Sequence, residues 1–444
     1  MSSSLEFDEM AMSERGPDLD IVIAGGGLAG LALALALQHK NVEAHVFEYH
    51  PYFKADTATA IGIGPNGVTA LEGIKPGLSS IISQAGSYTN NIKLAYFRDG
   101  KEDPPRITNV PPKEYVTVRW KSVQEILASL VDNKRIVFSH KLIGYRPSKG
   151  GVEAYFRCGN ALDRIKVIWT KLLIGADGIW SAVRKQMVGD SPRYLNLVHW
   201  NALLYNPDLK VYKGIEEGQI VVRTMENMQA HSIIAHAGHY TLWVLRTKDE
   251  SEDLAKSLVG GRGGIGIPGC KARALQRLDG LEGWDSVREV IDATSEDIIS
   301  ERKIMDRLPL DKWSDADGHV LLIGDAAHAQ YVGPGQGART AFEDAHQLSL
   351  LLQHASHSSF SEESIRDAVK RFEEFRIPRM KKMQLYAAYN TRLPKFQPEW
   401  FQNLTAEERM RVYEEYSKWV HSYPNKQECD PDSIYFNPDS TYFK

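Results

Sequence analysis

The sequence contains little cysteine and no strong excess of either charge. Its 444 residues include three cysteines, Cys158, Cys270 and Cys429, which lie far apart and lack the spacing of metal ligands. This usage favours a reducing compartment, which we take to be the cytoplasm, and it indicates no metal. A net charge of −4 without a basic stripe argues against a nucleic-acid partner.

Long hydrophobic runs are also missing. The longest apolar stretch, residues 21–37, is interrupted by four glycines, so no transmembrane segment is expected. Residues 1–19 are acidic and contain no hydrophobic segment, which predicts a flexible tail rather than a secretory signal or a transit peptide. The hydrophobic content of 43% still supplies core for the two domains that the length leads us to expect.

A glycine motif follows residues 20–24, a short β-branched run typical of a strand. Gly25-x-Gly27-x-x-Gly30 would turn the chain, and residues 31–37 are strong helix formers. In this context Gly25 permits the turn, Gly27 lets a pyrophosphate approach the backbone, and Gly30 lets helix and strand pack closely. The alternative is a glycine turn used only for packing. The residues predicted to bind a dinucleotide here are Gly25, Gly27, Leu28, Ala29 and Gly30.

Glu48 ends a second predicted strand, residues 43–47, eighteen residues past the last motif glycine. A carboxylate at this place can accept both hydroxyls of a ribose. The same glycine spacing recurs at residues 261–266. There it follows a charged segment, and Pro268 interrupts any helix after it, so we interpret that match as a flexible surface loop.

A second signature lies about three hundred residues downstream. A buried type of strand, residues 319–325, runs into Gly-Asp-Ala-Ala-His at 324–328, and the chain continues to Gly335-Gln336-Gly337 before a predicted helix. This pattern fits a loop and a helix start that grip the far end of the cofactor held by the first motif. Together the two signatures point to FAD.

Segments of different type alternate along the chain, which indicates interleaved domains. Residues 171–175 again have the composition of a buried parallel strand, whereas residues 219–224, 231–236 and 240–246 alternate like an antiparallel sheet with one solvated face. The sequence therefore predicts an α/β protein in which a Rossmann-like FAD-binding domain is interleaved with an antiparallel-sheet substrate domain, followed by C-terminal helices. The predicted divisions are a flexible N-terminal tail at 1–19, the FAD-binding domain at 20–189 and 313–355, the substrate domain at 190–312, and a C-terminal helical region and tail at 356–444.

The C-terminal region is predicted to be helical and then irregular. Residues 363–376 have helical periodicity, and Pro378 should kink or divide that helix. Thr405-x-x-Glu408 is a capping-box pattern that predicts the start of another helix. That helix would place three apolar residues on one face, in the core or at an interface: Val412, Tyr416 and Trp419.

The ordered motifs resemble those of class A flavoprotein monooxygenases, the single-component FAD family that includes salicylate hydroxylase and zeaxanthin epoxidase. The resemblance covers residues 20 to about 390, and the segment from Gly283 to Trp313 is similar to zeaxanthin-epoxidase-like members. Its matching elements, in chain order, are Gly25-x-Gly27-x-x-Gly30 with Glu48, Gly62-Ile-Gly-Pro-Asn66 with Leu71, Gly175-Ala-Asp177-Gly178 with Arg184, Gly324-Asp325 through Gly337, and Glu343-Asp344.

The resemblance implies roles along the cofactor. Asp325 would meet a ribityl hydroxyl, and Asp177 with Gly178 would lie near the pyrophosphate and the NAD(P)H path. The helix start after Gly335 would face the flavin N1–C2=O edge, where reduced flavin is negatively charged. Simpler readings are a helix cap for Asp325 and an ordinary turn for Asp177. The further cofactor contacts that it implies are Gly62, Arg119, Gly335, Gln336, Gly337 and Ala338.

Two positions depart from the family pattern. Many members have a proline beside the flavin where this chain has Val332, and Pro334 lies two residues later. Many also have an FAD-contacting arginine at the start of a helix, where strict alignment places Trp120 here. Arg119 would replace it by a one-residue shift, or it is a solvated charge.

The implied chemistry is oxygen insertion. NADPH or NADH would reduce FAD, O₂ would give a flavin C4a-(hydro)peroxide, and its distal oxygen would pass to an electron-rich carbon in a cavity that excludes water. We expect hydroxylation of a phenolic small molecule. The alternatives are epoxidation of an alkene or isoprenoid, and a flavin-binding protein or NAD(P)H oxidase without oxygenase activity. The enzyme would be a monomer or homodimer and would need no metal.

Candidates for the catalytic site come from two regions. In the flavin loop they are Tyr331, Val332, Gly333 and Pro334. Polar or aromatic residues of the substrate sheet could orient a phenol, and the basic ones could help to deprotonate it. Of these we single out Arg223 and His236. The full set in the sheet is His199, Trp200, Arg223, His231, His236 and Trp243.

Overall fold

The computed structural model describes residues 14–53, 58–98, 100–159, 163–208, 216–253, 256, 258 and 263–423. The strands of this part, in chain order, are β1 Glu14–Arg15, β2 Leu19–Ala24, β3 His45–Phe47, β4 Ala60–Ile63, β5 Gly86–Tyr88, β6 Asn91–Arg98, β7 Lys101–Glu102, β8 Arg106–Asn109, β9 Val116–Arg119, β10 Ile136–Val137, β11 His140–Ser148, β12 Gly151–Cys158, β13 Arg164–Gly175, β14 Arg193–Tyr205, β15 Gln219–Met225, β16 His231–Ala237, β17 Tyr240–Lys248, β18 Gly263–Ile265, β19 Ser300–Asp306 and β20 Val320–Leu322. The α-helices are α1 Leu28–His39, α2 Pro65–Ile74, α3 Leu78–Ser83, α4 Trp120–Leu130, α5 Ala182–Val188, α6 Cys270–Gln276, α7 Asp285–Asp292, α8 Asp325–His328, α9 Gly337–Ser356, α10 Glu362–Tyr389, α11 Glu399–Gln402 and α12 Ala406–His421.

The first sheet is built around the long strand β13. Strands β10, β3, β2 and β13 pair in parallel in that order, and β20 also pairs with β13 in parallel, with Leu173 opposite Val320. Strands β12 and β11 extend the sheet with antiparallel pairing. Helix α1, buried over residues 28–37, packs on this sheet and against α9. The predicted Rossmann-like layer is confirmed.

The second sheet has the strand order β18-β19-β14-β17-β16-β15-β6-β7, with β8 on β6. Its pairs are antiparallel except β15 with β6, which is parallel. Strands β6, β7 and β8 belong to this sheet although they lie within residues 20–189, the stretch predicted for the cofactor domain. The chain therefore crosses between the sheets once more than the sequence pattern indicated, and the domain divisions stay predictions.

Some predicted segments fall partly outside the described residues. This applies to residues 1–13 of the N-terminal tail, to residues 424–444 with Cys429, and to residues 261 and 262 of the second glycine match. Within the predicted tail, β1 pairs in parallel with residues 166–167 of β13. Residues 263–265 form the edge strand β18 instead of a loop, because their backbone pairs with β19.

The helices of the C-terminal region differ from prediction at one point. Helix α10 runs through Pro378, so the proline does not divide it, and the alternative of a kink stays a prediction. A proline inside a helix costs about 3 kcal/mol, and here buried residues on both sides of it, such as Phe372 and Met380, pack into the main core. The capping box is confirmed, since Thr405 and Glu408 each accept the other's backbone N–H. Among the described helices, none has the length and apolar composition needed to span a membrane.

Candidate active site

The glycine turn between β2 and α1 is shaped by contacts that only glycine allows. Gly25 has a φ of +111°, and a Cβ on it would lie 2.5 Å from the carbonyl oxygen of Ala176. A Cβ on Gly30 would collide with the Gly25 carbonyl oxygen. Gly27 is the N-cap of α1 without a side-chain cap, and a Cβ there would meet no described atom within 4 Å. The first N–H groups of α1 are thus available to an anion such as a pyrophosphate.

Glu48 lies beside this turn at the end of β3. Its Oε2 accepts the N–H of Gly26 at 2.8 Å, and its Oε1 accepts the N–H of His50 at 2.9 Å. Gln124 of α4, which sequence reasoning missed, donates from Nε2 to the Gly26 carbonyl at 2.9 Å. The Oε1 atom of Gln124 is buried without a partner among the described residues. The turn is therefore held from both sides, with a carboxylate at its rim.

The two signatures meet in space. A Cβ on Gly324 would lie only 2.8 Å from the Cβ of Ala29 in α1. A Cβ on Gly337, the first residue of α9, would lie 4.0 Å from Asp325 Oδ1. The start of α1, Asp325 and the start of α9 therefore border one recess, which has the order of groups that an extended FAD requires.

Asp325 is open to this recess and enclosed by protein on its other sides. Its side chain is exposed, and within the described part of the chain its carboxylate takes part in no hydrogen bond. Burial raises the pKa of Asp325, with His328 opposing this effect and Asp344 adding to it. A carboxylate so placed favours a ligand hydroxyl that would donate to it.

The start of α9 presents free backbone donors to the same recess. Gln336 is its N-cap, and its side chain is turned away to accept the Asn66 Nδ2–H at 3.0 Å instead of capping the helix. Gly335 has a φ of +66°, and no acidic residue occupies the first turn. The N–H groups of Gly337 and Ala338 are left for a ligand that carries negative charge.

Asp344 fixes the turn that precedes Asp325. Its Oδ2 accepts the N–H of Gly324 at 2.8 Å and lies 2.6 Å from His328 Nε2, while its Oδ1 accepts from Arg376 Nε at 2.8 Å. Burial acts to raise the pKa of Asp344, but His328 and Arg376 outweigh it, and the pKa lies below its ordinary value. The charged form of Asp344 therefore holds the Gly324 backbone in place.

Glu343 forms the other half of this buried network. It accepts from Asn66 Nδ2 at 2.9 Å, from Arg376 Nη1 at 2.8 Å and from Arg379 Nε at 2.7 Å. Burial acts to raise its pKa, but Arg379 and Arg376 lower it further than burial raises it. The pair Glu343-Asp344, found as a motif in the sequence, thus joins α2, α9 and α10 around the recess.

Three predicted cofactor contacts have protein partners. Asp177 accepts the N–H of Ala182, the first residue of α5, at 2.7 Å, although its Oδ1 is buried without a described partner. Arg119 stacks its guanidinium 4.1 Å from the ring centroid of Tyr240. Gly62 accepts from Arg339 Nε at 2.7 Å through its carbonyl. Their roles toward FAD stay predictions.

Strand register sorts the residues of the second sheet onto two faces, because directly opposite residues point to the same side. We call inner the face that packs with Tyr331 through Leu197 and Ile304. The outer face packs on α6 and α7 through Trp200 and Trp243. His199 lies opposite Arg246, and Arg246 lies opposite His231, all on the inner face.

Four of the candidate residues in the second sheet point to the outer face. Arg223 lies opposite Ser232, which lies opposite Leu245 of the outer-face core. His236 follows Ile234 by two positions and shares its outer-face orientation. The two tryptophans donate to Glu301 and Thr294 on that same side. The interpretation of Arg223 and His236 as substrate contacts is therefore corrected: their places in the strand alternation turn them away from Tyr331.

The loop after Asp325 connects the recess to the inner face. Tyr331 is buried, and the Arg246 guanidinium lies 5.6 Å from its ring centroid. Gly333 packs against the Tyr331 ring, and the Gly335 N–H donates to the Val332 carbonyl at 3.1 Å, which closes a turn around Pro334. Val332 is 42% exposed, so its side chain is open to a ligand.

The FAD binding domain family matches residues 18–254 and 299–379, which is more than half of the sequence, and the chain belongs to this family. The resemblance to class A flavoprotein monooxygenases is confirmed, and FAD is the cofactor of the fold. The donors and acceptors described above fit it.

Relatives and solved structures agree with this assignment. The chain is 28% identical over 385 residues to the chloroplastic zeaxanthin epoxidase of an Oncidium hybrid cultivar, covering 80% of this chain and 52% of that protein. It therefore spans about half the length of that relative. It is 26% identical over 377 residues to 3-amino-4-hydroxybenzoate 2-monooxygenase of Streptomyces cremeus, covering 82% and 84%. The structure of Klebsiella pneumoniae HpxO complexed with FAD and uric acid aligns with a TM-score of 0.69 at 20% identity, over 95% of this chain and 97% of that one, which shows a shared fold.

Proposed function

We propose that this chain is an FAD-dependent monooxygenase that uses NADPH or NADH and O₂ to hydroxylate an aromatic, phenolic small molecule. The observation that carries the proposal is the loop from Tyr331 to Gly335, which leads from the Asp325 recess and packs on the inner face through Arg246. A ligand on that face would lie beside the ring of a flavin whose ribityl chain reaches Asp325. The Streptomyces relative, by its name, acts on a phenolic ring.

The cofactor would be held by groups of both signatures. The N–H groups at the start of α1 would meet the pyrophosphate, Glu48 the ribose, and Asp325 a ribityl hydroxyl. The N–H groups of Gly337 and Ala338 would face the flavin edge that becomes negative on reduction. When bound, FAD supplies the transfer of two electrons from NAD(P)H and of one atom of O₂ to the substrate, while the other atom leaves as water.

The inner face would position the substrate through neutral histidines. Burial, with Arg246 adding to it, holds the pKa of His231 well below 6.5, so its ring is uncharged at pH 7. The Nδ1 atom of His231 lies 3.0 Å from Thr224 Oγ1, and its Nε2 is buried without a partner among the described residues. That nitrogen is available to a hydroxyl group of a bound ring.

The polarity of the inner face favours hydroxylation over epoxidation. Epoxidation of an alkene needs no base and no charged partner, and a hydrocarbon would leave the buried polar groups of this face unpaired, which costs about 1–3 kcal/mol for each. A phenol can pair with them. We therefore place the aromatic substrate ahead of the isoprenoid suggested by the zeaxanthin epoxidases.

A coupling assay tests the proposal. Purified holoprotein is mixed with NADPH or NADH and a panel of phenols and polyenes, while NAD(P)H oxidation, O₂ consumption, H₂O₂ and the product mass are recorded. We expect a phenol to stimulate NAD(P)H oxidation and to gain one oxygen atom. NAD(P)H oxidation that yields only H₂O₂ with every compound would leave an oxidase, and an oxygenated polyene would establish the epoxidase.

A further inference from the structure

Six residues form a single line across the inner face, which we call the basic row. Each lies directly opposite the next on the neighbouring strand, so their side chains point to the same side. Two are arginines, two are histidines, and the line ends in two hydroxyl groups. From β19 to β6 the basic row is Arg302, His199, Arg246, His231, Thr224 and Tyr96.

The positive charge of the row is not balanced by protein. Arg246 donates from Nε to His199 Nδ1 at 3.0 Å, and its Nη1 is buried without a described partner. Neither Arg246 nor Arg302 forms an ion pair with a carboxylate in the part of the chain that the structure describes. The neighbouring Glu301 points to the outer face, where Arg273 Nη2 binds it at 2.6 Å.

Further groups around the row are also basic or neutral. The guanidinium of Arg392 lies 4.9 Å from the ring centroid of Tyr96, at the far end of the line. Burial, with Arg246 and Arg302 adding to it, holds the pKa of His199 well below 6.5. Burial and Arg246 lower the pKa of Arg302 to about 10, so this arginine is still charged at neutral pH. The histidines therefore stay neutral while the arginines carry charge.

Buried guanidinium groups without a counter-charge are costly, because arginine cannot shed its proton at neutral pH. The protein could have lowered this cost with an acidic residue in the same row, as Glu301 does for Arg273 on the outer face. The uncompensated charge is therefore what a site for an anionic ligand requires. The fork of each guanidinium also matches the two oxygens of a carboxylate.

The row is both reachable and close to the flavin loop. His199 and Arg246 are 3% and 4% exposed, but Arg302, His231 and Tyr96 are only half-buried, so a small ligand can reach the line. The contact between Arg246 and the Tyr331 ring places the middle of the row against the loop that follows Asp325. A group bound there would anchor a molecule whose other end faces the flavin ring.

We propose that Arg246 and Arg302 form a subsite for the carboxylate of an aromatic acid, which makes an anionic ring compound the substrate class. The inference rests on the proposed function for the oxidation of that ring, but anion binding at the row can be measured without turnover. Two simpler roles compete with it. Arg246 could serve only to hold His199, or the row could serve only to stabilise the anionic reduced flavin.

Binding of a matched pair of probes tests the subsite directly. Benzoate and benzamide have nearly the same shape and differ in charge, and the binding of each to oxidised holoprotein is followed by the flavin absorbance spectrum. We expect wild-type protein to bind benzoate more tightly than benzamide. Arg246→Met and Arg302→Met should each weaken benzoate binding by about ten- to a hundredfold, the usual effect of losing a charged hydrogen bond, and should leave benzamide binding unchanged.

Matched variants separate the subsite from its competitors. Arg223→Met removes a buried arginine of the same sheet, one residue before the row on β15 but on the outer face, and should not change benzoate binding. Arg246→Lys should restore part of the preference for benzoate, which a role limited to holding His199 would not predict. If Arg246→Met does not fold, Arg302→Met carries the test, because the side chain of Arg302 is less buried and bonds to no described residue.

The outcomes distinguish this inference from the proposed function. Selective, arginine-dependent benzoate binding without oxygenation of any aromatic compound would support the subsite and refute the monooxygenase. Oxygenation of neutral and anionic phenols with equal kcat/KM, unaffected by Arg246→Met, would support the monooxygenase and refute the subsite. Equal binding of the two probes by wild-type protein would overturn the subsite, and so would a change in flavin reduction potential in Arg246→Met without any change in probe preference.

Discussion

Gly324 and Ala29 are separated by almost three hundred residues, yet a Cβ on the glycine would lie 2.8 Å from the Cβ of the alanine. This approach brings the second signature against the first turn of α1. Neither segment alone surrounds a cofactor, whereas together they border the recess between Gly27 and Asp325. The contact leaves no room for a larger residue at either position without a shift of α1 or of α8.

Replacement of Glu48 tests the adenosine end. Glu48→Ala should weaken FAD binding by about 1.5–3 kcal/mol, because a charged hydrogen-bond acceptor is lost beside the ribose. The affinity is measured by fluorescence titration of the apoprotein with FAD. Glu43→Ala, which removes an exposed carboxylate from the same segment, is the matched control. An unchanged FAD affinity in Glu48→Ala would contradict the ribose assignment.

Asp325 should show opposite effects on binding and on stability. Asp325→Ala should purify largely without FAD and therefore without yellow colour, because the proposed ribityl contact is gone. Burial raises the pKa of Asp325 above its ordinary value of 3.8. In the apoprotein the ionised carboxylate therefore lowers the free energy of unfolding when the pH lies above this raised pKa. The apoprotein of Asp325→Asn should therefore unfold at a higher temperature than wild-type apoprotein at pH 7, and the two should converge below pH 4. A yellow, fully active Asp325→Ala protein would show that the second signature has been misread.

A charge at the start of α9 tests the electrostatic role of that helix. Gly337 has space for a side chain, since its nearest described neighbour would be Asp325 Oδ1 at 4.0 Å. Gly337→Asp should lower the flavin reduction potential relative to Gly337→Asn, because the added negative charge opposes the reduced anion. The difference should correspond to about 0.3–2 kcal/mol. Redox titration of the two holoproteins measures their flavin reduction potentials. Equal potentials would limit the helix start to a packing role.

The buried network of Glu343 and Asp344 should dominate stability near the recess. Arg379→Met leaves Glu343 short of a counter-charge, and breaking a buried pair costs about 3–5 kcal/mol. Arg411→Met breaks an exposed pair with Glu407 and should cost less than about 1 kcal/mol. Urea unfolding of both variants provides the comparison. Similar losses in the two variants would refute the special role of the network.

The same network sets a dependence on pH. The pKa of Glu343 and that of Asp344 lie below their ordinary values of 4.5 and 3.8. Their contribution to the free energy of unfolding is therefore complete above those values and is lost as the pH falls through the lowered ones. In Arg379→Met this loss should begin at a higher pH, because the pKa of Glu343 rises. Unfolding measured from pH 7 to pH 3 follows the shift.

Many residues of the candidate cofactor site could be predicted from local motifs in the sequence. Gly25 and Gly30 were recognisable because each occupies a place where a side chain would collide, and such steric demands leave a fixed spacing in the sequence. Gln124 belongs to no such spacing pattern in the sequence. Its amide reaches the turn only because α4 packs against α1 in the folded chain, and a glutamine at a helix position is ordinary in sequence.

The faces of the second sheet illustrate a different limit. Arg223 and Arg246 both lie on strands with an alternating pattern, and of the two only Arg223 was among the candidates predicted from the sequence. Which of them lies on the inner face depends on strand register, and a shift of one residue exchanges the two faces. The same holds for the basic row, whose members come from six strands and meet only through pairing.

The position of β20 in the first sheet has a consequence for how the protein matures. During synthesis β13 emerges with the edge that β20 will occupy still open, and the whole second sheet is made before Val320 can pair with Leu173. At 5–20 residues per second, roughly 15–60 s separate the first glycine turn from Asp325 on the ribosome. In the proposed binding mode, a nascent chain has only the groups for the adenosine half of FAD during that interval, and the groups for the flavin half follow when β20 and α9 have been made.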